Sequence, residues 1–168
     1  MSNNNKLNLI LHCGGSVITR AALKRIKTPK LSGRWHPIPH TMLLDLVETE
    51  LKRLGMVVVN EVFGVAQEGK RMFGIFQIAQ ENQTSKDYSW VAGLRNSHDK
   101  TFRAGLCVGS GVFVCDNLSF SSDIEFERRH TTNILRDLPL LVTGACGELA
   151  AKWDTQSERI EAAPNEQN

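Results

Sequence analysis

Polar residues that could bind or react with a ligand occur in three short segments in the second half of the chain. The first is 95–100 (RNSHDK), the second 115–117 (CDN) and the third 128–133 (RRHTTN). Histidine, aspartate and cysteine side chains act as bases, metal ligands or nucleophiles in enzymes. Whether these segments make one site depends on the fold that positions them.

Two kinds of active site can be assembled from these residues. A hydrolytic enzyme would use His98, Asp99, Asp116 and His130. If it depended on Mg²⁺, the clustered carboxylates would have to be Asp99, Asp116 and Asp123. A nucleophilic site would use a Cys115 thiolate beside His130. However, a cysteine at the end of an apolar strand is usually a small buried residue, and asparagine and aspartate are common turn formers. We therefore predict no catalytic residue, and the hydrolytic enzyme stays an alternative.

Two further histidines could bind a metal ion. His36 and His40 have a spacing of four residues, but they flank two prolines and do not share a regular helix face. Structural zinc sites usually add cysteine pairs, and this chain has no Cys-x2-Cys motif. We predict neither a metal site nor a cofactor.

Basic residues give the clearest indication of function. Six Lys or Arg and no acidic residue lie between Arg20 and Pro39, and further basic residues lie near the polar segments. A basic stretch with an aromatic residue can follow a phosphate backbone and stack on a base. We predict contact with nucleic acid, single strands included, through a basic surface. The predicted residues are Lys24, Arg25, Lys27, Lys30, Arg34 and Trp35, followed by Arg95, Lys100, Arg103 and Arg128.

The overall charge neither requires nor excludes such a surface. The formal net charge is only +2, while acidic residues concentrate at 45–50 and at 158–166, so the surface can be polarised. The plainest alternative is a solvated basic face. A second alternative is a protein-binding module, such as an inhibitor of a host defence system, with a host protein as its partner.

Composition is that of an ordinary globular domain. The chain has 168 residues, of which 41% are hydrophobic and 23% charged, which predicts one domain over 1–162 and a polar tail at 163–168. No apolar run is long enough to cross a membrane, and the Asn-rich start lacks a signal-peptide pattern. The four cysteines are scattered and are expected to be free thiols. These features predict a cytoplasmic protein with no membrane partner.

Hydrophobic periodicity predicts an α+β fold with a mostly antiparallel sheet of four or five strands and helices packed on one face. The predicted helices are 20–27 with Thr19 as its N-cap, 40–54, and one from Thr131 or Thr132 to about 160. The predicted strands are 56–66, 71–79, 88–95, 103–114 and 124–127, with a hairpin turn at 67–70 and a further short strand possible at 7–12. In such a meander, the first and second polar segments lie at opposite ends of strand 103–114. The second and third are expected to share an edge of the sheet.

Several short strings resemble those of a known group of proteins. They are CGG at 13–15, PIPH at 37–40, RMFG at 71–74, RNSHDK at 95–100, VFVCDNL at 112–118 and RHT at 129–131. In combination, they resemble the phage/plasmid-related family of uncharacterised proteins of bacteria and mobile elements, over residues 12 to about 160. The resemblance implies a mobile-element protein and no particular activity. Members typically continue into a further C-terminal helical region, whereas this chain ends at Asn168.

Overall fold

A computed structural model describes residues 9–10, 15–81, 90–109, 113–115, 120–121 and 124–162. Its helices are α1 (Arg20–Lys24), α2 (His40–Arg53) and α3 (Ile134–Ala162). Its strands are β1 (Leu9–Ile10), β2 (Ser16–Ile18), β3 (Met56–Ala66), β4 (Arg71–Gln80), β5 (Trp90–Ser97), β6 (Ala104–Gly109), β7 (Phe113–Cys115), β8 (Phe120–Ser121) and β9 (Ile124–Arg128).

The main sheet is antiparallel throughout and has the order β2-β3-β4-β5-β6-β9. The predicted α+β class is confirmed, although the sheet has six strands and not four or five. The additional strand is β2, which pairs with β3 and forms one edge. The predicted strand 103–114 is divided, because β6 stays in the main sheet while β7 joins a second sheet of order β1-β7-β8.

The predicted placement of the helices on one face of the sheet is also confirmed. Leu43 and Val47 of α2 and Leu138 of α3 are buried in one cluster with Phe76 of β4 and Leu106 of β6. Side chains alternate between faces along a strand, so the intervening residues of these strands point to the opposite face. There a smaller cluster contains Phe73, Ile75, Phe102 and Cys107. The first, larger cluster is the hydrophobic core of the described residues.

A tight turn joins β3 to β4 and reaches the region of the polar segments. The Lys70 N–H donates to the Gln67 carbonyl oxygen, and the two residues between them, Glu68 and Gly69, have φ angles of 58° and 85°. Two consecutive positive φ values are typical of the turns that fit twisted hairpins. The predicted hairpin turn at 67–70 is therefore confirmed. Its Gly69 carbonyl oxygen accepts a hydrogen bond from His40 Nε2 at 2.8 Å. The turn is thus tied to the first residue of α2.

Two glycines allow a matched test of this packing. A Cβ atom on Gly74 would lie 2.9 Å from Cδ1 of the buried Phe63 ring, whereas one on Gly144 of α3 would meet nothing within 4 Å. We expect Gly74→Ala to lower the free energy of unfolding by about 1–3 kcal/mol through overpacking. Gly144→Ala should raise it by about 0.5–1 kcal/mol, because alanine is the better helix former. Urea unfolding measures both, and equal shifts in the two variants would contradict the packing described here.

Candidate functional site

Sheet topology brings together the first and third polar segments. Strand β9 runs antiparallel to β6, and β6 runs antiparallel to β5, so the ends of β5 and β9 both lie beside the start of β6. His130 Nε2 consequently lies 2.6 Å from Asn96 Oδ1. The structure describes only one residue of the second segment. This residue, Cys115, ends β7 in the other sheet, whereas Asp116 and Asn117 lie outside the described residues.

Asn96 is the centre of a buried hydrogen-bond network. Its side chain is fully buried, and Nδ2 donates to the Ile38 carbonyl oxygen at 3.1 Å and to His40 Nδ1 at 3.0 Å. Its Oδ1 accepts from His130 Nε2. The Ile38 oxygen also accepts from His98 Nε2 at 2.8 Å. The network therefore joins the end of β5, the segment before α2 and the segment before α3.

The bonding partners fix the tautomers of all three histidines. Carbonyl oxygens only accept, so the proton of His40 is on Nε2, facing Gly69, and that of His98 is on Nε2, facing Ile38. The amide nitrogen of Asn96 donates to His40, so the amide oxygen of Asn96 must face His130. That oxygen only accepts, which places the proton of His130 on Nε2. His40 and His98 also stack, with ring centroids 3.8 Å apart and planes 9° from parallel.

Burial keeps these histidines neutral. It lowers the pKa of His40 to about 3, and repulsion from His98 and His130 acts in the same direction. Burial also lowers the pKa of His130 to about 4, aided by repulsion from His98 and Arg128. The pKa of His98 is lowered by burial as well. The bond from Asn96 Nδ2 to His40 Nδ1 also requires a neutral His40 ring, because a protonated Nδ1 has no lone pair to accept it.

A groove of about 770 Å³ lies against this network. Five cationic side chains and one carboxylate, Glu127, line it, together with Trp35, Phe102 and His130. The cations are Arg34, Arg95, Lys100, Arg103 and Arg129. A volume of this size is in the range of cavities that bind small molecules, so the groove can hold a few nucleotides of a longer strand.

The groove keeps an excess of positive charge. Glu127 pairs with Arg95 and lies 3.9 Å from Arg103 Nη1. Among the described residues, no carboxylate pairs with Arg34 or Arg129, and both residues are exposed. Those two guanidinium groups are therefore available to an anionic ligand.

Aromatic rings lie beside the cations. Lys100 Nζ lies 5.0 Å from the centroid of the Trp35 ring, and Arg95 Cζ lies 5.4 Å from that of Phe102. Such distances are typical of cation–π contacts. Trp35 is half-buried, and its indole nitrogen has no hydrogen-bond partner in the part of the chain that the structure describes. The groove thus offers an aromatic surface and positive charge together.

Side-chain hydrogen bonds hold the loop that carries Lys100 in place. Arg71 Nε donates to Asp99 Oδ2 at 2.9 Å, and Asp99 also accepts from the Thr101 hydroxyl. Ser97 Oγ donates to the Phe102 carbonyl oxygen at 2.8 Å. These bonds engage Asp99 in the structure of the loop. Asp99 and His98 therefore have separate partners, which gives no support to a hydrolytic pair.

The structure divides the predicted binding residues into three groups. Arg34, Trp35, Arg95, Lys100 and Arg103 line the groove. Arg128 does not, because its guanidinium donates to the Thr131 hydroxyl, the Thr132 carbonyl and Asp137 and so ties β9 to α3. The other predicted residues are exposed on or after α1 and do not line the groove; they are Lys24, Arg25, Lys27 and Lys30.

Three residues of the site were not predicted. Arg129 was present in the basic third segment, but its direction could not be read without the register of β9. Asn96 had the signature of a turn residue, yet it lies inside β5. His40 begins α2 and was considered only as a metal ligand. In the described residues no group of three His, Cys, Asp or Glu side chains could hold a metal ion.

Comparisons of the chain with known proteins identify no relative. No protein-family model, curated protein or solved structure matches the chain. The resemblance to the phage/plasmid-related family therefore stays a prediction. Within the described residues, no helix has the length and apolar character needed to span a membrane.

Proposed function

We propose that this chain binds single-stranded nucleic acid in the groove between Arg34, Lys100 and Arg129. The observation that carries the proposal is the concentration of five cations around one carboxylate on a concave surface that also contains Trp35. The mobile-element setting implied by the sequence resemblance is part of the same proposal.

The charges of the groove suit a phosphate backbone. Arginine donates paired hydrogen bonds to phosphate oxygens, and Arg34 and Arg129 have no competing carboxylate among the described residues. Lysine acts as a mobile point charge, and Lys100 can turn from the Trp35 ring toward a phosphate. Binding of this kind releases counterions and weakens as salt rises.

The aromatic residue favours a single strand over a duplex. Bases of a single strand are free to stack on a protein ring, and each such stack is worth about 1–3 kcal/mol. Paired bases of a duplex keep their faces inside the helix. Trp35 is half-buried on the wall of the groove, where an unpaired base could reach it.

Charge reversal in the groove tests the proposal. We expect Arg34→Glu with Arg129→Glu to weaken binding of a labelled single strand by at least about tenfold at low salt, because two phosphate contacts are lost. The slope of log affinity against log salt should fall by about 1.4, since each phosphate contact on a single strand contributes about 0.7. Fluorescence anisotropy at several salt concentrations measures both quantities.

The matched control carries the same charge change outside the groove. Lys24→Glu with Lys27→Glu alters two exposed residues that do not line the groove. This variant should lose much less affinity than the groove variant. An equal loss in both would assign binding to diffuse charge instead of the groove. Failure of the unaltered protein to bind any single strand at low salt would refute the proposed function.

A further inference from the structure

His130 has one ring nitrogen that the protein does not use. The residue lines the groove and is 6% exposed, and its Nε2–H is fixed by the bond to Asn96 Oδ1. With that proton on Nε2, Nδ1 carries a lone pair. Within the described residues, Nδ1 makes no hydrogen bond. A hydrogen-bond acceptor with a fixed orientation therefore lies at the wall of a cationic groove.

The surrounding network keeps this acceptor in place. Asn96 cannot rotate its amide without losing the bonds that Nδ2 makes to Ile38 and His40, so Oδ1 remains directed at His130. The His130 carbonyl oxygen also accepts from the His36 backbone N–H at 2.8 Å. Burial keeps the imidazole neutral at physiological pH because it lowers the pKa of His130 to about 4. One hydrogen bond to the His130 ring and one to the His130 backbone thus hold this residue in place.

An acceptor has a different role from the other polar groups of the groove. Guanidinium and ammonium groups only donate, and they bind phosphate oxygens, which only accept. Those contacts carry no information about the sugar or the base. A lone pair, in contrast, can bind only a donor. On a nucleic-acid strand, such donors include the ribose 2′-hydroxyl and the amino groups of the bases.

We propose that His130 Nδ1 accepts a hydrogen bond from a donor group of the bound strand, either a ribose hydroxyl or an exocyclic base amine. This inference rests on the proposed function and adds selectivity to it. His130 would contact the ligand directly, while Asn96 acts as a positioning residue. The cations then supply most of the affinity, and His130 supplies the preference between strands of equal charge.

Matched strands identify the source of the donor. Oligo-rU and oligo-dU differ only in the 2′-hydroxyl. Base amines are deleted one at a time by placing purine for adenine, inosine for guanine or pyrimidin-2-one for cytosine in a DNA strand. We expect the wild-type protein to prefer the donor-bearing member of at least one pair by about threefold to tenfold, as one net hydrogen bond provides. Fluorescence anisotropy at a fixed salt concentration measures the preference.

The variant His130→Phe replaces the imidazole with a ring that has no acceptor atom. It also loses the bond to Asn96 Oδ1, so urea unfolding checks that the fold is retained. The variant should bind both members of the pair with the affinity that the wild-type protein has for the donor-free strand. Nitrogen-15 NMR of wild-type histidines gives a second readout that needs no variant, because the Nδ1 signal of His130 should shift only with the donor-bearing strand.

The outcomes separate this inference from the proposed function. A wild-type protein that binds single strands but treats every pair equally would overturn the role of His130 and leave the groove as a phosphate site. Persistence of the preference in a folded His130→Phe variant, or an Nδ1 signal of wild-type His130 that does not respond to the donor, would overturn it as well. Absence of any binding at low salt would remove both proposals.

Discussion

Replacing Asn96 by leucine is expected to lower the free energy of unfolding by about 3–5 kcal/mol. Leucine has a similar volume, but it cannot bond to the two histidines that Asn96 joins. His40 Nδ1 and His130 Nε2–H would then be buried without partners, at a cost of about 1–3 kcal/mol each. The Ile38 carbonyl oxygen is affected less, because it keeps its bond from His98. Urea unfolding at pH 7 measures the change.

Asn60→Leu is the matched control for this prediction. Asn60 lies exposed on β3, where its side chain accepts only from the backbone N–H of Glu61. Its replacement should alter stability by less than about 0.5 kcal/mol, as is usual for exposed positions. A loss in Asn96→Leu no larger than that in Asn60→Leu would mean that the network does not stabilise the fold. In that case His130 would also lack a fixed orientation.

The sequence predicted the parts of the fold that local patterns determine. The apolar periodicity of α2 and the β-branched run of β3 placed both elements within a residue of their observed ends. Thr19 was predicted to cap α1, and its side chain does accept from Ala22 N–H, although α1 ends at Lys24 and not at residue 27. Local hydrogen bonds and side-chain period suffice for such predictions.

Pairing between distant strands was beyond those patterns. The break between β6 and β7 could not be read from an apolar run that continues through both strands, and the sheet gained β2 from a short segment with no strong strand signal. Because β9 pairs with β6, the third polar segment meets the first. This meeting follows from the antiparallel order of β5, β6 and β9, which the predicted meander already implied, and not from the additional strand β2 at the opposite edge.

The candidate site was predicted only in part, because local patterns do not show which side chains meet in the fold. Charge and aromatic content indicated Arg34, Trp35 and Lys100, which line the groove. The same composition also indicated Lys24 and Arg128, since a count of charges does not show which side chains face inward or serve the fold. The Arg128 guanidinium donates its hydrogen bonds to Thr132 and Asp137, near the start of α3. The direction of a side chain, and the hydrogen-bond partners that it finds within the protein, can be known only from the folded structure.

Acid is expected to destabilise the folded protein well above the pH at which carboxylates titrate. Burial lowers the pKa of His40 to about 3, whereas a histidine in an unfolded chain titrates near 6.5. Above pH 6.5, both states hold His40 neutral, and stability does not depend on its titration. Below pH 6.5, only the unfolded chain takes up the proton, so the free energy of unfolding falls by about 1.4 kcal/mol per pH unit until the folded pKa is reached.

The pH range from 7 to 5 isolates this effect from that of the carboxylates. His40 alone should remove about 2 kcal/mol of stability between these values. His130 and His98, whose pKa values burial also lowers, act in the same direction. Urea unfolding at pH 7, 6 and 5 measures the loss. In His40→Gln the loss over this range should be smaller by the contribution of one proton, although that variant starts from a lower stability at pH 7. Equal unfolding midpoints at pH 7 and 5 in the unaltered protein would contradict a neutral histidine network, because a network of neutral rings must exclude protons that the unfolded chain accepts.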